Sequence, residues 1–232
     1  MKLAQIGGTV WRTLVAAFLL GSATTAVSRA DVVYDNTTTI STNAQGAPFF
    51  LALPNEFGDE VELAGSARAV TAFYFEYFGD FTPQGDETAR IRFYKNDGPG
   101  LYLKPQTVLW DSGNFSITTN YNTRGLLVPR VVVPDRFTWS VQFSGMTMTA
   151  GDQAGLVAYN PPTVGALLNG GKIGSYDDFW KNNGGIWSIY NLKSTPVANF
   201  GARIIAVPEP ASVLLGLSGG AALIWAARRR NT

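Results

Sequence analysis

The sequence predicts an all-β protein: a single antiparallel β-sandwich, jelly-roll-like, flanked by an N-terminal signal peptide and a C-terminal transmembrane helix. Three observations carry this. From Asp31 onward, apolar residues alternate with period two instead of recurring at helical spacing. The alternating runs are short and separated by turn formers: "KNDGPG" from Lys95, "DSGN" from Asp111, "NPP" from Asn160 and "NNGG" from Asn182. Both ends carry uncharged apolar runs beside basic residues. The chain of 232 residues therefore divides into a signal peptide (1–30), an extracytoplasmic β-sandwich (31–206) and a C-terminal segment (207–232).

The first element is the signal peptide. Lys2 and Arg12 precede an apolar run from Leu14 to Leu20, followed by small and polar residues, which is the order of a secretory leader. Ser28 and Ala30, or Thr24 and Ala26, supply the small residues a signal peptidase needs. The apolar run is too short for a spanning helix, which needs about 20 residues.

Within the body the clearest strand is "FTWSVQF", where Phe137, Trp139, Val141 and Phe143 alternate with Thr138, Ser140 and Gln142. "ARIRFYK" sets Ala89, Ile91 and Phe93 against Arg90, Arg92 and Tyr94. "RAVTAFYFEYF" places Thr71, Phe73, Phe75 and Tyr77 on one face and Val70, Ala72, Tyr74 and Glu76 on the other; being apolar on both, it reads as a central strand. Further strands are expected at 32–34, 61–63, 107–110, 115–118, 130–133, 155–159, 186–190 and 200–206, and one helical turn at 175–182.

Composition limits the chemistry. Cysteine and histidine are both absent, so disulfides, thiolate nucleophiles, Cys/His zinc sites and histidine-based triads are excluded. Between Asp31 and Val207 there are 12 basic and 16 acidic residues, a balance that argues against nucleic acid as a partner. Hydrolysis would fall to carboxylates, of which Glu76, Asp80, Asp86 and Glu87 are close in sequence. Cross-strand ion pairs from Arg90 and Arg92 account for Glu76 more simply, so the body is read as non-enzymatic. No cofactor is required; a structural calcium could draw on Asn96 and Asp97 or on Asp177 and Asp178, although turn chemistry explains the first pair. "SYDDFWKNNGGIWSIY" gathers Tyr176, Trp180 and Trp187 among Asp, Asn and Gly as a candidate carbohydrate-binding set. The competing reading has Trp180 and Trp187 plugging the end of the sandwich.

The last element starts at Val207, Pro208, Glu209 and Pro210. The prolines interrupt regular structure, and residues 211–227 follow without a charge, long enough for a span of about 25 Å as a helix. Arg228, Arg229 and Arg230 then set the topology, with the short 228–232 tail on the cytoplasmic side. This ordered triplet of motif, apolar helix and arginine cluster resembles the PEP-CTERM sorting signal of exported bacterial proteins. The body, through "RIRFYKNDG", "LWDSGNFS", "FTWSVQFSG" and "NFGARIIAVPEP", resembles the secreted β-sandwich domains that precede such signals. The resemblance implies export by the secretion translocon, removal of the leader by signal peptidase, and cleavage near the motif by an exosortase-type membrane protease. It also implies a transient membrane anchor, then a place at the cell surface or in an extracellular matrix, with extracellular polysaccharide as a candidate partner.

Overall fold

The computed structural model describes residues 29–37, 48–50, 56–100, 103–159, 162–165, 178–191 and 199–209. Among them there is no helix, and none long and apolar enough to cross a membrane; residues 1–28 and 210–232, with most of the leader, the 211–227 span and the arginines, lie outside the described residues. Among the described residues twelve strands run in chain order: β1 (Asp31–Asp35), β2 (Pro48–Phe50), β3 (Glu56–Glu62), β4 (Ala69–Phe81), β5 (Thr88–Gly98) and β6 (Lys104–Ser116). There follow β7 (Asn120–Val132), β8 (Arg136–Ser144), β9 (Asp152–Val157), β10 (Asp178–Asn183), β11 (Ile186–Asn191) and β12 (Ala202–Val207).

All strand pairings are antiparallel and form two sheets. Sheet A runs β1-β12-β4-β9-β2, with β7 on the other side of β4; sheet B runs β11-β10-β3-β8-β5-β6. The inward faces meet in one core. Phe73 of sheet A lies 5.2 Å from Phe93 and 5.1 Å from Trp139 of sheet B, ring centre to ring centre. Phe137, Trp139, Val141 and Phe143 all enter this core from β8, as do Ala89, Ile91 and Phe93 from β5, so the period-two reading holds along both. Burial of each valine, isoleucine and phenylalanine among them stabilises the fold by about 1.5–3 kcal/mol.

Several strands depart from the sequence reading for identifiable reasons. On β4 the core receives Val70, Phe73, Phe75 and Tyr77, and Thr71 turns outward to donate to Ile205 O. A register shift between Val70 and Ala72 flips the alternation there. The "DSGN" turn signal lies inside one long β6, where it makes a bulge: Gly113 has φ +66°, Asp111 Oδ1 accepts the Gly113 N–H at 2.9 Å, and Ser112 Oγ accepts that of Ile91. The helical turn expected over 175–182 is, in its described part, strand β10, joined to β11 by a Gly184-Gly185 turn with both φ positive.

Candidate functional site

Among the described residues no element lies across the face that sheet A turns away from the core, where Tyr74, Glu76, Phe78 and Tyr159 are half-buried and Tyr121 is exposed; it is built in rows across the strands. Register places Val32, Ile205, Ala72 and Leu127 in the first row, and Arg203, Tyr74 and Gly125 in the second. Glu76 and Thr123 make the third; Phe78, Tyr121, Gly155 and Phe50 the fourth. Tyr121 is 59% exposed, and its ring centre is 4.6 Å from that of Phe78, which in turn is 6.2 Å from Phe50.

At the third row β4 changes partner on the side away from β7. Residues 69–75 pair with β12, residues 77–81 with β9, both on the same side, and Glu76 stands at the division. There the chain leaving β9 and the chain entering β12 are laced together: Tyr159 N donates to Asn199 O (2.8 Å), Gly201 N to Val157 O (2.7 Å) and Glu76 N to Gly201 O (3.0 Å). Asn36, fully buried, adds its Nδ2 to this crossing, 3.2 Å from Asn199 O and 3.4 Å from the carbonyls of Tyr159 and Phe200. From the opposite sheet, Asp59 Oδ2 accepts the Phe200 N–H at 3.1 Å.

Two rings on this face lie against glycine backbone. Tyr159 lies over Gly201, where a Cβ would come 2.8 Å from its Cε2, and Tyr74 lies over Gly125, where one would come 2.7 Å from its Cε1. Each ring therefore rests on bare backbone. The Tyr159 hydroxyl donates to Glu76 Oε2, and Thr123 Oγ1 lies 3.5 Å from Oε1. Burial holds the Glu76 carboxyl above its ordinary value, while those two hydrogen bonds pull it back. The Tyr159 phenol is pushed up by burial and by the adjoining carboxylate. One row away, Arg203 Nε and Nη2 are each 2.8 Å from Asp35 Oδ2.

The outer face of sheet B is built from similar residues but is covered. The β10–β11 hairpin curls back over it until Trp187 lies 5.2 Å from Tyr94, although three strands separate β11 from β5 in the sheet. Four strand spacings laid flat would measure about 19 Å. On β3 Gly58 leaves no room for a side chain on this face, since a Cβ would come 2.6 Å from the Thr138 methyl. Beneath the hairpin Glu56 is buried and held by Arg92 Nη1 (3.0 Å), Tyr94 Oη (2.9 Å), Ser140 Oγ (2.5 Å) and Asn182 Nδ2 (3.0 Å). Asp111 joins Arg90 and Arg92; chiefly through the Arg90 hydrogen bonds its carboxyl is lowered to about 2.

The residues singled out by sequence are thus distributed. Trp180 and Trp187 are 2% and 8% exposed, packed with Tyr94 under the hairpin, so the ring faces a sugar would need are taken by protein. They lie against Tyr94 on the outer side of sheet B. Tyr176 lies outside the described residues, as does Asp177. Asp97 accepts from Thr107 N and Oγ1, one at each carboxylate oxygen, and Asn96 Oδ1 accepts from Thr138. Glu76 makes no pair with Arg90 or Arg92, because β4 and β5 belong to different sheets; those arginines serve Asp111 and Glu56. Asp80 accepts from Gly151 N and Gln153, and Glu87 from Gln84 N and Gly85 N. Val207 is buried at the end of β12; Pro208 and Glu209 follow it half-buried, and Pro210 lies outside the described residues.

Sequence reasoning missed Tyr74, Phe78, Tyr121 and Tyr159 as a group. The signal for the first two was present in the second apolar face of β4, but a face covered by protein and one open to solvent have the same alternation. Tyr159 and Gly201 meet only through a contact 42 positions apart in the chain. Compared with protein-family models, curated proteins and solved structures, the chain gives no match to any of them.

Proposed function

We propose that this protein is exported, routed by a PEP-CTERM-type signal, and works at the cell surface or in an extracellular matrix as a non-catalytic structural or interaction module. The observation that carries the reading is the ordered C-terminal triplet: Pro208-Glu209-Pro210, the uncharged stretch 211–227, and Arg228 to Arg230, following directly on the last strand. The signal peptidase and an exosortase-type protease act on it in turn. The body is a jelly-roll-like sandwich. Supporting this are the order β3-β8-β5-β6 in one sheet and β12-β4-β7 in the other, with β4 crossing between β3 and β5, and β7 between β6 and β8.

A non-catalytic role is supported by how the carboxylates of the body are used. Glu56 and Asp111 sit in ion pairs, and Asp80 and Glu87 accept backbone N–H groups. Replacing Arg228, Arg229 and Arg230 together by Asn tests the routing. The expected result is a longer, unprocessed chain retained with the membrane fraction; processing to the same mass as the parent overturns it. Polysaccharide binding is the second reading, favoured by the open aromatic face of sheet A.

A further inference from the structure

Resting on the reading of this protein as an extracytoplasmic interaction module, we propose that the open face of sheet A binds a neutral, hydroxyl-rich polysaccharide laid lengthwise along β4. The contact surface is Tyr74, Glu76, Phe78, Tyr121 and Tyr159.

The chemistry follows from the surface. Sugar rings present C–H groups on their faces and hydroxyls on their rims, so a receptor needs flat aromatic faces interleaved with hydrogen-bonding groups. Tyr74 and Tyr159 have one side set on glycine backbone, at Gly125 and Gly201, so they are held before any ligand arrives and lose little side-chain freedom on binding. Between them the Glu76 carboxylate, fixed by Tyr159 and Thr123, offers acceptor capacity, and Arg203 lies beside Tyr74 in register. Tyr74 and Phe78 are four residues apart on one face of a strand, about 13 Å at 3.3–3.4 Å per residue. A track of that length suits a run of sugars better than a single one.

Charge decides which kind of chain. Glu76 stands at the middle of the track, and Arg203 is already neutralised by Asp35. The body as a whole carries more acidic than basic residues. A uronate or sulfate polymer would meet repulsion there; a neutral one would not. A protein partner would be expected to use the apolar first row instead, where Leu127 is 90% exposed.

The test uses the full-length chain purified in detergent, with hydroxyethyl cellulose and a galactomannan as neutral probes and alginate as the polyanion, read by affinity electrophoresis and calorimetry. Saturable binding to a neutral probe is expected, tighter for longer oligosaccharides of it, with alginate ignored. Tyr121→Ala, at an exposed position where folding is not at stake, and Tyr159→Ala, checked by its melting curve, should each weaken binding about three- to tenfold. Leu127→Ser should leave it unchanged. The proposal is overturned by failure to bind either neutral probe, by equal binding to alginate, by unaltered affinity in a folded Tyr121→Ala protein, or by loss of binding in Leu127→Ser. Failure of the routing reading is distinguishable: normal processing after the arginine replacement removes the sorting signal and leaves glycan binding standing. A protein that is correctly processed and exported but binds no neutral glycan removes this proposal alone.

Discussion

The two outward faces of the molecule begin from the same material and end differently. Both carry aromatic and charged residues in alternation with a buried row: Arg90, Arg92 and Tyr94 on β5, Tyr74, Glu76 and Phe78 on β4. On sheet B a hairpin folds over them, Trp180 and Trp187 close the space, and Glu56 is enclosed by four partners. On sheet A no described element lies across them, and Tyr121 stays in solvent. The difference teaches that an aromatic strand face is a packing surface or a binding surface according to what the rest of the chain lays on it.

Substitutions on the two faces should therefore separate by size. The largest effect is expected from Trp180→Ala, which empties the space under the hairpin and should cost about 3–5 kcal/mol in denaturant unfolding. A loss comparable to that of an exposed residue would mean that the hairpin does not cover sheet B. Glu56→Ala leaves Arg92 buried without its carboxylate and should cost about 3 kcal/mol or more by the same measurement. On sheet A, Asn36→Ala removes the donor that laces the chain near Tyr159, for about 1–3 kcal/mol, because several buried carbonyls lose a partner. Its further signature is weakened ligand binding at the open face. The smallest effect belongs to Tyr121→Ser, expected within about 0.5 kcal/mol of the parent.

Acidity sharpens the same contrast, since the two faces titrate in opposite senses. Asp111 on sheet B is lowered from 3.8 to about 2, so its ion pairs stabilise the fold fully above about pH 4 and are lost as pH falls toward 2. Asp111→Asn should abolish that part of the acid transition. Glu76 on sheet A is raised from 4.5, so the folded protein holds this proton more tightly than the unfolded chain does. Its contribution is present below pH 4.5 and is lost as pH rises through the folded value. Glu76→Gln should therefore flatten the dependence above pH 4.5 and change stability at neutral pH by less than about 1 kcal/mol, in the stabilising direction. A parallel shift of both curves would remove the distinction between the faces.

Alternation made β5 and β8 legible in the sequence, because each has one face committed to the core: Ile91 and Phe93, Trp139 and Val141. Partnership was not legible. Arg90 follows β4 closely in the chain, yet the connection between β4 and β5 carries it to the other sheet, to Asp111. Nor was local geometry, where "DSGN" obeys turn chemistry inside a bulge and one register shift turns Thr71 away from the core. The buried lacing by Asn36 has no local signature at all, since its carbonyl partners lie more than a hundred positions away.

The divided partnership of β4 also bears on how the molecule would take a pull. Gly201, under Tyr159, stands just before the first residue of β12, and Val207, from which the chain runs on to the Pro208-Glu209-Pro210 motif, is the last. A polymer gripped beside Glu76 and an attachment beyond Pro208 would therefore draw on opposite ends of one strand. β12 lies between β1 and β4, bonded on both sides. The load would run along its axis and be resisted by two ladders in shear together, not peeled open one bond at a time.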